Sequence, residues 1–349
     1  MGMYEPHTKE ISRRNLLRGS ALTALGFAAA GIAGYTIANM DDDGSPTANG
    51  DVPGQSVGPE PEGEVTTARS AELPPLGVSP LDLTYRIQDV TVDIAAGVKY
   101  NAWAYDGLLP GPALHVKQGD QVNFTLVNDS ATGHSIDFHS ARTPWDKNYI
   151  TIVPGDSLSF GWKAEFPGVF MYHCGTPPVL HHIGNGMYGA AVVDPDPPLA
   201  PAKEYVLVQS EFYAKEGANG TWDADVDKML AVRPDLLAFN GTAFQYRDVP
   251  LTAEVGEKVR IYVMNAGPTL FSAFHVIGAI FDVVYVDGNP RNPLYGVSTY
   301  TVAPGQGCTF ELTVPEAGLY PFVTHSFAYT GLGALGVLAV GGATGAAEH

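Results

Sequence analysis

Cys174, His182 and Met187 stand at the spacing Cys-x7-His-x4-Met. A thiolate, an imidazole and a thioether in that arrangement are ligands of a blue (type 1) copper, because soft sulfur with imidazole and a weak axial thioether selects copper for electron transfer. Such a site needs a second imidazole from elsewhere in the chain, and His134 is the candidate. His173 immediately precedes the cysteine. In an extended strand adjacent side chains point to opposite faces, so His173 and Cys174 serve two different metals joined by one peptide unit.

The same parity divides the segment 133–140. His134 and His139 lie five residues apart, an odd separation that sends one to each metal, whereas Asp137 and His139, two apart, share a face. His134, Cys174, His182 and Met187 are therefore assigned to the type 1 copper, and His139 and His173 to a second copper, with Asp137 leaning toward the second as a proton donor. The second site still lacks a ligand. Five of the ten histidines, including His181, fall between residues 134 and 182. Any one of them alone reads as a packed or surface residue; the cluster beside a Cys and a Met is what argues for metal.

The elements that must hold these ligands are strands. Alternating runs such as Val122 to Leu126 and Val259 to Val263 recur between Gly and Pro breakers, which predicts an all-β sandwich architecture, with one short helix at Ala224 to Val232. The chain also repeats itself: Val116 to Phe124 is similar to Val255 to Ile261, and Pro154 to Phe160 is similar to Pro304 to Phe310. Extending the second pairing without gaps sets Thr324 opposite Cys174, so the second domain has no blue copper. Cys308 then falls inside a strand as a small packed residue, while His325 sits one position past the match to Cys174 and is a plausible third ligand for the second copper. His275 and Ile277 share a face, a proton carrier beside an apolar cap.

At 349 residues there is room for two domains once the first ~80 are set aside. Arg13 and Arg14 ahead of the uncharged run Gly19 to Ala38 predict a twin-arginine export signal or membrane anchor over residues 1–40, and the polar stretch 41–80 a flexible, solvated linker. The folded part divides into a first domain over 81–195 and a second over 202–343, separated by the proline-rich Asp194 to Pro201. A net charge of -18 argues against nucleic acid as a partner.

From Leu81 to Gly342 the chain resembles the two-domain copper nitrite reductases of the cupredoxin and multicopper oxidase superfamily. The resemblance rests on His134-x-x-Asp137-x-His139, on His173 and Cys174 followed by His182 and Met187, on His275-x-Ile277-Gly278, and on His325. It implies two tandem cupredoxin-like Greek-key β-sandwiches, and a homotrimer whose type 2 copper lies between subunits on His139 and His173 of one chain and His325 of its neighbour. It implies an electron delivered to the type 1 copper by a cupredoxin or cytochrome c and passed through Cys174 and His173 to the type 2 copper, where nitrite binds. Asp137 and His275 are then the proton carriers and Ile277 shapes nitrite coordination. The expected location is periplasmic or otherwise extracytoplasmic. A laccase-like multicopper oxidase is the nearest rival, but it binds its copper cluster through His-x-His pairs, and none occurs here. A non-catalytic blue-copper carrier would have no use for His275 and His325. The segment Ser140 to Tyr149, bulky and charged, departs from the small residues expected of that family, and His181 beside His182 is unusual.

Overall fold

The structure, a computed structural model, describes residues 58–345, so the expected export signal and the first part of the linker lie outside the described residues. The first sandwich is built from β1 (Leu81–Ala95), β2 (Val98–Tyr105), β3 (Leu114–Lys117), β4 (Gln121–Asn128), β5 (Asp137–Phe138), β6 (Ser157–Lys163), β7 (Gly168–His173) and β8 (Tyr188–Asp194), with short helices α1 (Trp145–Asn148) and α2 (Val179–Gly184). The second starts with β9 (Lys203–Phe212), the hairpin β10 (Ala214–Glu216) and β11 (Trp222–Ala224), helix α3 (Val226–Leu230), β12 (Leu236–Phe239) and helix α4 (Gln245–Asp248). It continues through β13 (Leu251–Ala253), β14 (Lys258–Gly267), β15 (Ser272–Val276), β16 (Phe281–Val286), β17 (Pro293–Val297) and β18 (Thr299–Val302). It closes with β19 (Gly307–Thr313), β20 (Gly318–Thr324), helix α5 (Phe327–Thr330) and β21 (Leu335–Val340).

Period-2 patterning explains the layers. Along β4, Val122, Phe124, Leu126 and Asn128 turn inward while Gln121 and Asn123 face solvent. They meet Phe138, Tyr172 and Val193 from the facing sheet, which runs β3-β8-β7-β5, and Met187 just ahead of β8. The second sandwich repeats the plan around Ile261, Phe274, Phe310 and Phe322, and Cys308 is buried in that core as expected, its thiol pushed up to about 12 by burial. In both halves the opening strand pairs in parallel with a later one, β1 with β4 and β9 with β14. A third apolar cluster, with Tyr100, Tyr188, Phe212 and Tyr262, draws on both halves and binds them together.

Two features differ from the sequence reading. Residues 58–80 are not a free tether: Ala71 is buried in the second core, its carbonyl accepts from Val206 N at 2.7 Å, and Arg69 N donates to Gln245 Oε1 at 2.8 Å. One small apolar residue with satisfied backbone groups is enough to seat a polar segment on a sheet edge. The hairpin β10–β11 does not join its own sandwich. It extends the first sheet, in the order β10-β11-β2-β1-β4-β6, through the pairing of Trp222 with Tyr100. Helix α3 therefore begins two residues later than expected, because Ala224 is paired in β11; Asp225 caps the helix by accepting from Lys228 N at 3.0 Å.

Candidate metal centres

Strand β7 ends at His173, and Cys174 follows it in an extended connection held by Cys174 N donating to Met187 O at 3.1 Å. Opposite, β5 sets Asp137 against His173. The strand alternation then does what parity requires: Cys174 turns into the core and is fully buried, while His173 turns to the other face. Helix α2, six residues long, brings His182 over the thiol, and its last turn leads directly to Met187, whose N–H donates to His182 O at 3.1 Å.

The inward group is His134, Cys174 and His182, all buried. His134 Nδ1 and His182 Nδ1 face each other at 3.1 Å, and Cys174 Sγ lies 3.3 Å from His182 Nδ1 and 3.9 Å from His134 Nδ1. The outer nitrogen of His134, Nε2, is held by Thr132 Oγ1 at 2.9 Å, so Nδ1 is the ring atom that faces His182 and the sulfur. Ser135 N donates to Cys174 Sγ at 3.4 Å, and Gly175 N donates to Ser135 Oγ at 3.0 Å, so the thiol sits in a cradle of fixed donors. Burial, then the His182 ring, pushes His134 down to about 3; burial, then His181, pushes His182 down to about 4. Imidazoles kept neutral beside a sulfur are the donor set of a soft metal. Met187 is buried in the same apolar cluster as Cys174.

The outward group is Asp137, His139 and His173. His173 Nδ1–H donates to Cys174 O at 2.9 Å, which leaves its Nε2 lone pair facing His139 Nε2 at 3.1 Å, with Asp137 Oδ2 4.0 Å away. Desolvation by the surrounding protein and then His173 lower the pKa of His139, although the residue is partly exposed, while Asp137 and the Gly305 backbone of the second sandwich act in the opposite sense. Two ring nitrogens converging at that distance share either a proton or a cation, so this donor set also fits a metal.

His275 and His325 form a third grouping, on the second sandwich, with ring centroids 5.4 Å apart. His275 Nδ1–H donates to Ser298 O at 2.6 Å, and Ile277 N donates to Pro321 O at 2.7 Å beside it. His325 is exposed and, among the described residues, joins neither ligand group of its own chain. The parity rule thus separates the two centres as expected, but Thr132, Ser135, Gly305 and Trp103 went unnoticed. The Trp103 ring packs 5.0 Å from His134 and 4.8 Å from His182. Thr132 alone had a legible signal, its place two residues before His134 on the same face.

Multicopper oxidase family models match residues 86–198 and 203–338. The chain is 38% identical over 292 residues to the copper-containing nitrite reductase of Neisseria meningitidis serogroup A, covering 80% of this chain and 75% of that protein. The chain belongs to the copper-containing nitrite reductase family. Its fold is similar to that of the copper nitrite reductase from Nitrosomonas europaea, with a TM-score of 0.70 and 38% identity over 74% of this chain and 93% of that one. A more distant likeness, 31% identity over 66% of this chain and 67% of the relative, links it to the Alcaligenes faecalis copper-containing nitrite reductase. A solved multicopper oxidase structure is also similar, at 27% identity over 78% of this chain and 92% of that one, TM-score 0.67.

Proposed function

We propose that the protein reduces nitrite to nitric oxide and water at copper, with two coppers per chain. The observation that carries this reading is the back-to-back placement of two ligand groups on His173 and Cys174, adjacent residues whose rings and sulfur face opposite ways. Family membership supports copper as the metal and nitrite as the substrate. His134, Cys174, His182 and Met187 hold the type 1 copper, and His139 and His173 hold the type 2 copper together with His325 of a neighbouring copy in a homotrimer. The exposure of His325 and its separation from both groups within the chain support that last assignment.

Bound copper supplies a one-electron redox centre at the first site and an open Lewis-acid position for an anion at the second. The chain's residues do the rest. The Cys174 thiolate, its peptide unit and the His173 ring give a short covalent path between centres, closed by the 2.9 Å hydrogen bond from His173 Nδ1 to Cys174 O. One electron and two protons are needed per nitrite, and Asp137 and His275 deliver the protons. The 2.6 Å bond from His275 Nδ1 to Ser298 O fixes that ring's tautomer, leaving Nε2 to hold or release a proton. Ile277 beside it restricts how the anion lies. A cupredoxin or cytochrome c is the donor, the twin-arginine segment exports the chain to an extracytoplasmic compartment, and that segment is also where any membrane attachment resides.

An anaerobic assay of copper-loaded protein with nitrite and dithionite, reading nitric oxide beside copper per chain, tests the reading. Nitric oxide with two coppers is expected; two coppers without nitric oxide would overturn it. His325→Ala is expected to keep the blue colour and lose turnover, and retained turnover would remove His325 from the site.

A further inference from the structure

Arg69 is a half-buried cation with no counter-charge among the described residues. The buried cations elsewhere are paired: Lys228 with Asp235 at 2.8 Å, and Arg260 with Glu204 and Glu311, each at 2.6 Å. The main chain of Arg69 is tied to the second sandwich, its N donating to Gln245 Oε1 at 2.8 Å and its carbonyl accepting from the Tyr246 hydroxyl at 2.9 Å. Burial lowers its pKa, and Tyr172, Tyr246 and Tyr188, in that order, act in the opposite sense. Tyr172, the strongest of the three, belongs to the first sandwich, where its hydroxyl donates to Pro112 O at 2.6 Å. The side chain thus reaches from the half that holds its backbone toward the other. There Arg69 borders a cavity of about 270 Å3, whose walls come from the leading segment, the 108–113 turn of the first sandwich, and β9 with Asn240 of the second. Pro110, Pro112, Ala190, Val206 and Val208 make those walls largely apolar, and no lining residue belongs to either ligand group. Glu72 is the one carboxylate among the lining residues, and Lys203 Nζ holds it at 3.1 Å. Ser70 Oγ, also on the wall, accepts from Glu72 N at 3.2 Å and keeps its own hydrogen to donate.

We propose that this cavity binds a small monocarboxylate with a compact apolar body, the carboxylate paired with Arg69 and the body set against the proline, alanine and valine walls. A planar guanidinium offers a carboxylate two parallel N–H donors, a match in shape as well as charge. A charge drawn out of water without a partner costs free energy, and an anion that pairs with it at good geometry offsets that cost. The apolar walls favour an organic acid over a strongly hydrated inorganic oxyanion, because only the former has surface to remove from water. Since the walls come from three parts of the chain, a bound acid also ties the leading segment to both sandwiches and stabilises the fold by mass action. The site needs neither copper nor nitrite.

Isothermal titration calorimetry of the copper-loaded full chain with sodium benzoate tests the site. Wild type is expected to bind benzoate, and Arg69→Gln to bind it roughly tenfold more weakly or worse. Arg69→Lys, which keeps the charge and loses the planar fork, should fall between the two. Benzamide, the same ring without the charge, should bind wild type roughly tenfold more weakly than benzoate. Benzoate held at the outward ligand group would be common to wild type and variant and cancels in that comparison. Thermal melts add a readout that a merely structural arginine would not move: saturating benzoate should raise the midpoint of wild type by more than that of Arg69→Gln. Equal benzoate affinity in wild type and Arg69→Gln would overturn the proposal, and so would equal affinity of wild type for benzoate and benzamide. Nitrate that binds as tightly as benzoate, and loses its affinity in Arg69→Gln, would overturn the apolar-body assignment in favour of inorganic oxyanions. Should Arg69→Gln fail to fold, the ratio of benzoate to benzamide affinity in wild type decides. Each of these outcomes leaves the proposed function standing, since nitric oxide formation is measured separately.

Discussion

Thr324 occupies in the second sandwich the position Cys174 holds in the first, and several of the surrounding bonds match. Cys174 Sγ accepts from Ser135 N at 3.4 Å and Thr324 Oγ1 accepts from Ala273 N at 3.0 Å; Cys174 N donates to Met187 O, and Thr324 N to Ala334 O. The Asn128 and Asn265 side chains bridge equivalent carbonyls, those of Thr132 and Ile152 in one half and Leu270 and Val302 in the other. Continuing the register, His134 corresponds to Ser272, which donates to Gln209 Oε1 at 2.6 Å. One scaffold thus holds a cluster of candidate metal ligands in one copy and ordinary polar packing in the other, so the fold by itself does not make such a cluster. Because β5 pairs Asp137 with His173 and β15 pairs His275 with Val323, Asp137 and His275 also correspond. The two proposed proton carriers are the same position in the two repeats.

Replacing the ligand with its counterpart breaks the comparison most severely. Cys174→Thr should lose one copper per chain, the thiolate absorption band and turnover by roughly a thousandfold or more; a variant that keeps its blue colour would show that the sulfur is not a ligand. Asp137→Asn probes the shared proton-carrier position: both coppers should remain while kcat falls roughly a hundredfold, the usual scale for removing a general acid. Loss of copper there would make Asp137 structural instead. The reverse graft, Thr324→Cys, should give no blue band, since Ser272 and Ala334 offer no imidazole or thioether, and should change stability by about 1 kcal/mol through the weakened bond from Ala273 N. Colour in that variant, seen by absorption spectroscopy, would mean that the scaffold alone suffices.

The smallest effect concerns the seam between the halves. His115 of β3 has Nδ1 at 2.7 Å from Pro74 O and Nε2 at 2.9 Å from Asp194 Oδ2, and two acceptors require both ring nitrogens to be protonated. Burial opposes that charge, but the Asp194 hydrogen bond, the Pro74 carbonyl and the Asp194 and Glu204 charges outweigh it and raise the pKa. A raised pKa contributes stability that is fully present below the unfolded value and lost as pH rises through the folded one. Thermal melts should therefore show wild type losing its advantage over His115→Gln at pH values above about 6.5, the ordinary histidine range. A constant difference across that range would refute the charged clamp.

The ligand groups were legible because strand parity is a local rule. His173 beside Cys174, and His134 five residues before His139, had to part once the segments were extended. The duplication was legible from the Pro-Gly turns at residues 154 and 304, whose spacing to the following strands survives in both halves. Residues 58–80 misled because their composition is that of a tether, whereas their seating depends on a few long-range contacts such as Val65 N with Asp248 Oδ2 at 2.7 Å. Composition reports the average tendency of a segment and is blind to an edge that happens to be waiting for it.

What the sequence determined by itself was the chemistry: which atoms are soft or hard donors, and which face of a strand each one takes. Those follow from side-chain type and a two-residue period, both properties of neighbouring positions. Tertiary structure alone decided that β10 and β11 would cross to the first sheet, that Trp103 would lie against three imidazoles, and that Gly305 would reach the His139 ring. These contacts join positions far apart in the chain, and their pairing is set by how whole sheets pack, which no local period encodes.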